Sequence, residues 1–371
     1  MRRGLAIAVP AAVALAYALG HLGWYLGTPL GRVPVLDEVG NLALANEIAA
    51  GSLPAELFYR APGYSLFLAG LRVAGVTAAG LFPAALVLGA LLHCAGAALA
   101  ASIARRWFGG AAAMIAGLLF ALDPVLVHFA TQALDTTLSL TLFLAGLNLL
   151  CSAVARPGRA WPWAFAGIAW AAATLVRPNY LIAWALVPLL ALLQAPAARS
   201  RAAAASLAGI LVFSAYSLWQ WSVCGVVGFL PWQGPYNLWA ANRPGANGRF
   251  YTQHISLPPE VARLNPARAE SILDFEQETH GPMAYADSMS ARWKATFHEE
   301  AASAPPGSPA LLEAGQAAPA SFVAAMNAHW RARFLEEATS RPGRWAALLA
   351  RKGYALLDNW EQYNNKTFAF H

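Results

Sequence analysis

Residues 79–103, AGLFPAALVLGALLHCAGAALAASI, carry one histidine and no charged side chain, and Arg105-Arg106 follow almost at once. An apolar run of that length covers the ~20 residues that a helix needs to cross the ~30 Å hydrocarbon core of a bilayer. A basic pair just beyond such a run marks its cytoplasmic end. The pattern recurs near 4–26, 111–131, 134–154, 161–177, 179–196 and 203–225, which predicts seven crossings. With the N-terminus in the cytoplasm, the inner connections carry Arg2-Arg3, Arg105-Arg106, Arg156 with Arg159, and Arg199 with Arg201. Each of them is basic, as the positive-inside rule requires.

Composition points the same way. Hydrophobic residues make up 58% of the chain and charged residues 12%, against roughly 25% charged in soluble domains. The net charge of +6 is spread in short pairs between apolar runs. It is not gathered with exposed aromatics on one face, as nucleic-acid binding needs. Cys94, Cys151 and Cys224 are odd in number and far apart, so neither a disulfide framework nor a zinc pattern follows. Arg2-Arg3 followed by Leu5 to Leu26 has the form of a signal peptide, with Ala16-Tyr17-Ala18 as a tolerable cleavage site. Its apolar run is long for that and favours an uncleaved anchor.

The run from Tyr64 to Val76 is apolar too, but it has 13 residues and contains Arg72. That is too short and too charged to span, so it is expected to lie along the outer surface as an interfacial helix. Residues 229–344 hold most of the acids and many prolines and glycines, which predicts a soluble outer domain. Within it, Ala301 to Pro319 has the composition of a flexible excursion. Ser321 to Thr339 is helical by the recurrence of Phe322, Met326, Trp330 and Phe334. Trp345 to Leu357, interrupted by Arg351-Lys352, reads as a further interfacial helix. The expected fold is an all-α polytopic membrane protein of about seven transmembrane helices, with outer-face interfacial helices and a small C-terminal periplasmic domain. Residues 1–228 form the membrane core, including a first external loop at 27–78, and 229–371 form the outer domain.

Carboxylates beside that much hydrocarbon are costly to desolvate, and those that persist are usually functional. Asp37 and Glu38 stand first among them, in the first external segment. Their bland alternatives are the N-cap of a helix over 38–50 and a first-turn partner of its dipole. Asp123 and Asp135 flank the second external turn. Asp123 precedes Pro124, which disfavours helical geometry at the aspartate. Asp135 opens the next span, where it meets the positive end of the helix dipole, and capping alone accounts for it as well as catalysis or metal binding does. On the same side, Arg60 and Arg177 have the planar fork that suits phosphate, or equally serve as interfacial anchors. Trp232, Asn242 and Asn247, in the loop from Pro231 to Gly248, suit a sugar ring and its hydroxyls. They also suit a turn whose tryptophans sit at the membrane interface. Inside the spans almost nothing beyond His93 ionises, which counts against an ion-coupled carrier.

The order of these pieces resembles the GT-C superfamily of membrane glycosyltransferases, especially bacterial enzymes related to protein O-mannosyltransferases and lipid A aminoarabinose transferases. The resemblance lies in Leu36-Asp37-Glu38 through Gly51, in Phe58-Tyr59-Arg60-Ala61-Pro62-Gly63-Tyr64, and in Ala121-Leu122-Asp123-Pro124 through Asp135-Thr136. It continues in Arg177-Pro178-Asn179 and in Asn242-Arg243-Pro244-Gly245-Ala246-Asn247-Gly248. Each motif is short, and only their joint order is specific. At the place of Asp135 the family often has glutamate. Such enzymes commonly continue with more membrane helices after a stretch like Asn359 to Asn365, whereas this chain stops at His371, the mark of a fragment or a shortened relative.

The resemblance implies a polyprenyl-phosphate-linked sugar donor and transfer to an acceptor protein, lipid or glycan on the periplasmic face of the inner membrane. Asp37 would be the general base, with Glu38 beside it, and Arg60 and Arg177 would bind the donor phosphate. No cofactor is certain; a divalent metal held by Asp37 and Asp135 remains open, because hard cations prefer oxygen ligands. A non-catalytic scaffold or lipid-binding protein that keeps the fold is the alternative.

Overall fold

A computed structural model of the chain describes residues 4–34, 37–52, 58, 60–155, 159–194, 199–225, 227–231, 234–235, 238, 241–242 and 319–355. Every regular element among the described residues is helical. They fall into two compact units, one within Met1–Leu53, Ala61–Trp221 and Val227–Phe229, the other within Pro54–Arg60, Ser222–Val226 and Leu230–His371.

The first unit contains α1 (Leu5–Leu26), α2 (Pro29–Arg32), α3 (Asp37–Ala50), α4 (Gly63–Val73), α5 (Ala78–Leu122), α6 (Pro124–Ala130), α7 (Asp135–Ala155) and α8 (Trp161–Val176). A 3-10 turn at Pro178–Tyr180, α9 (Leu181–Gln194) and α10 (Arg199–Cys224) follow, α10 belonging to this unit as far as Trp221. Leu5–Leu26, Ala78–Leu122, Asp135–Ala155 and Arg199–Val223 are long and apolar enough to cross a bilayer, which gives four candidate spans where seven are expected.

The difference has local causes. Two expected spans, 79–103 and 111–131, share α5, whose 45 residues would run ~68 Å if straight. The helix is not straight. Gly109 adopts φ 87° and ψ −171°, a left-handed conformation that glycine takes at little cost, and the chain folds back on itself there. Ala101 packs with Ala113, and Ala97 with Ala121. The His93 ring stacks on Phe120 at 5.3 Å and its Nε2 donates to the Ala121 carbonyl at 3.1 Å. Thus α5 is a helical hairpin. The other two are short: α8 has 16 residues, roughly 24 Å, and Pro178–Leu190 is also below full spanning length. The 11 residues of α4 reach only about 16 Å and cannot cross.

Small residues bring these helices together, as is usual where lipid removes the hydrophobic drive for association. A Cβ on Gly117 would stand 2.6 Å from Pro10 of α1, and one on Gly89 would stand 2.0 Å from the Ala130 carbonyl oxygen. The outward surface carries large apolar side chains, among them Leu119, Ile182, Leu193 and Leu211, which suits lipid and not water.

One end of this bundle collects the basic clusters. Ala6, near the start of α1, packs with Ala101 and Ala113 beside the Gly109 reversal, next to Arg105-Arg106. Trp107 Nε1 donates to Cys151 Sγ near the end of α7 at 3.3 Å. Leu150, Ala153, Trp163, Ala166, Ala202 and Ala205 form one buried cluster joining the end of α7 to the starts of α8 and α10, where Arg159, Arg199 and Arg201 lie. The opposite end holds the close of α1, the starts of α3 and α7, and Arg177 just past α8.

The second unit contains α11 (Pro319–Ser340) and α12 (Pro342–Ala355), which match the helices expected near 321–339 and 345–357. Phe334 meets Trp345 edge-on at 6.4 Å, Arg344 pairs with Glu337, and Lys352 Nζ donates to Asn242 Oδ1 at 2.9 Å. Trp232, Asn247 and nearly all of the Ala301 to Pro319 excursion lie outside the described residues.

Candidate functional site

Helix α3 opens with Asp37 and Glu38 in its first turn, where carboxylates are favoured by the helix dipole. Neighbouring helical residues point about 100° apart, so the pair divides. Asp37 is half-buried, whereas Glu38 is fully buried. Glu38 Oε1 accepts the backbone N–H of Ala133 at 2.9 Å. Three residues on, Asn41 Nδ2 donates to the carbonyl of the same Ala133 at 3.2 Å. Glu38 is therefore a strut between α3 and the turn joining α6 to α7. Glu38 was expected beside Asp37 as a second catalytic carboxylate; the structure places it fully buried, with Oε1 on the Ala133 amide.

That turn ends at Asp135, the first residue of α7. Arg177 leaves α8 in an extended conformation, φ −138° and ψ 113°, as a residue before proline tends to. It reaches across to Asp135: Nε donates to Oδ2 at 3.0 Å and Nη2 to Oδ1 at 2.9 Å, while Nη2 also donates to Thr136 Oγ1 at 2.8 Å. Burial works against the charged guanidinium. Its hydrogen bonds to Asp135, the charge of Asp135, and Tyr180 and Asp37 beyond it outweigh that, and the Arg177 pKa is raised. Asp37 thus stands within electrostatic range of the Arg177–Asp135 pair.

Tyr64 completes the group. A Cβ on Gly63 would stand 2.5 Å from the Leu175 backbone, so α4 begins in direct contact with the end of α8. This close approach seats the buried Tyr64 beside the acids. Burial first, then the charges of Glu38 and Asp135, push its phenol well above the ordinary value, so the hydroxyl stays protonated. Tyr25, fully buried near the end of α1, lies within range of Glu38 as well.

Other expected residues take different places. Asp123 Oδ1 accepts from the backbone N–H groups of Val125 and Leu126 at 2.9 and 3.1 Å and caps α6, the ordinary use of aspartate before a helix-starting proline. Both Asp135 oxygens accept from Arg177, so a metal shared by Asp37 and Asp135 would have to bind beside the guanidinium. Among the described residues no group of three or more metal-ligating side chains occurs. Arg60 is exposed and belongs to the second unit. Asn242 is buried there, bonded to Lys352 and to the Leu238 carbonyl.

Beyond the expected His93, two further histidines sit in the apolar segments. His21 Nδ1 meets Thr131 Oγ1 at 3.1 Å, and His128 Nε2 meets Gln132 Nε2 at 2.6 Å, so the turn carrying Ala133 rests on a buried polar layer. A cavity lined in part by His93, Thr136, Thr137 and Thr141 has about 10 Å³, room for roughly one water and none for a sugar. No family model, curated protein or solved structure matches this chain.

Proposed function

We propose that the chain is an integral-membrane glycosyltransferase of the GT-C kind, transferring a sugar from a polyprenyl-phosphate donor to an acceptor hydroxyl outside the cytoplasm. Asp37 takes the acceptor proton as the acceptor oxygen bonds to the anomeric carbon. The bond from that carbon to the lipid phosphate breaks, and the phosphate leaves with the electron pair. Arg177, whose Nη1 is not used by Asp135 or Thr136, stabilises the charge that grows on the phosphate. Tyr64 keeps a neutral hydroxyl beside the acids.

One observation supports this reading above the rest: half-buried Asp37 shares the bundle end of the Arg177–Asp135 pair, opposite the end that collects Arg105-Arg106, Arg159, Arg199 and Arg201. In this reading the basic end faces the cytoplasm, the two limbs of α5 and the helices α8 and α9 also cross, and residues 229–371 lie outside.

Two measurements test it. Purified protein in lipid nanodiscs, given a panel of polyprenyl-phosphate sugars, is expected to release polyprenyl phosphate from at least one donor when an acceptor is present; no release and no binding across the panel would end the proposal. In sealed inside-out vesicles without the native cysteines, Arg159→Cys is expected to react with an impermeant maleimide and Ser52→Cys to stay protected. The reverse pattern would put Asp37 in the cytosol.

A further inference from the structure

Ala133 is fully buried in the irregular turn between α6 and α7, where neither its N–H nor its carbonyl has a helical partner. Buried backbone groups of that kind must find partners elsewhere. Here one face of α3 supplies both: Glu38 accepts the N–H and Asn41 donates to the carbonyl. The two side chains are three residues apart, the spacing that puts them on the same face of a helix. Because the contacts are opposite in polarity, a slip of α3 by one residue turns its face by about 100° and loses both. Two residues beyond Ala133 stands Asp135, which fixes Arg177 through two hydrogen bonds.

We infer that Glu38 and Asn41 form a polar clamp on the Ala133 peptide that sets the register of α3 against α7 and so holds Asp37 at the Arg177–Asp135 pair. The inference rests on the reading of Asp37 as the base of that site. Glu38 and Asn41 are positioning residues, and Glu38 neither takes nor gives a proton during turnover. The substitutions that separate these roles follow from the bonds. Glu38→Gln keeps an oxygen to accept the Ala133 N–H but cannot act as an acid or base. Glu38→Ala removes the acceptor. Asn41→Asp turns a carboxylate toward a carbonyl oxygen.

The test pairs a structural readout with a chemical one on the full chain in nanodiscs: amide hydrogen exchange across residues 131–136, and kcat and KM for donor turnover. Glu38→Gln is expected to keep wild-type protection and turnover within about threefold, since it preserves the bond. Glu38→Ala and Asn41→Asp are expected to speed exchange at Ala133 at least about tenfold and to lower kcat by a similar factor with KM little changed. Should Glu38→Ala fail to fold, Asn41→Ala, which deletes only the neutral bond, reads the same two quantities. Loss of turnover in Glu38→Gln with protection intact would make Glu38 an acid or base and overturn the clamp. Wild-type protection in both disruptive variants would overturn it as well. A wild-type protein that turns over no donor sinks the reading of Asp37 instead, and exchange still decides the clamp.

Discussion

Asp37→Asn is expected to lower sugar transfer by about 10²–10⁴-fold, the range for loss of a positioned general base, while the protein inserts and folds normally. The substitution keeps the size of the side chain and removes its negative charge, and with it the capacity to take a proton at neutral pH. Structural damage is small for two reasons. Asp37 is half-buried, and the first-turn dipole interaction it gives up is worth about 0.3–1 kcal/mol. Rates of donor consumption and thermal midpoints, measured on the same purified samples, check both halves. Wild-type turnover in a folded Asp37→Asn protein would remove the base from the mechanism. Glu38→Gln is the internal control: one residue away and also losing a carboxylate, it is expected to stay active.

The contrast between Asp37 and Glu38 marks what the sequence can and cannot disclose here. Their adjacency draws attention to both, yet the helical repeat separates them, and Asn41, three residues from Glu38 and four from Asp37, gives no sign in the sequence of which one faces inward. Nothing in the sequence indicates that Glu38 meets a backbone amide 95 positions away, because that contact depends on how α6 ends. The same holds for Arg177 and Asp135. Each is recognisable as a charge at the edge of an apolar run, but their pairing across 42 positions comes from α7 and α8 packing side by side. Gly146 against Trp170 brings those helices close. The long apolar helices were legible, since an apolar run flanked by arginines can be read from the sequence alone, whereas the short α2 and the separate α6 were not. Four spans are long and apolar enough to cross by themselves where seven are expected, because the Gly109 reversal joins two of the expected runs in α5 while α8 and the Pro178–Leu190 segment are short.

Arg177 carries the second large expectation. Arg177→Ala is expected to reduce transfer by about 10²–10³-fold, as removal of a donor to developing negative charge does, and Arg177→Lys is expected to recover little of it. A lysine is a point charge without the fork that binds both Asp135 oxygens and Thr136 at once. The stability effect is smaller and its size follows from exposure. With side chains 42% and 31% exposed for Arg177 and Asp135, the pair stands between the ~0.2–1 kcal/mol of surface bridges and the ~3–5 kcal/mol lost when a buried pair is broken, which gives about 1–2 kcal/mol after screening by solvent. A double-mutant cycle of Arg177→Gln and Asp135→Asn, read by thermal unfolding in nanodiscs, measures the coupling directly. A coupling below about 0.3 kcal/mol would mean that the pair does not hold Arg177 in place, and the guanidinium would then be free to serve as an ordinary headgroup anchor. A larger coupling combined with loss of transfer in Arg177→Lys would tie the bidentate geometry to function, because charge alone survives that substitution and the fork does not.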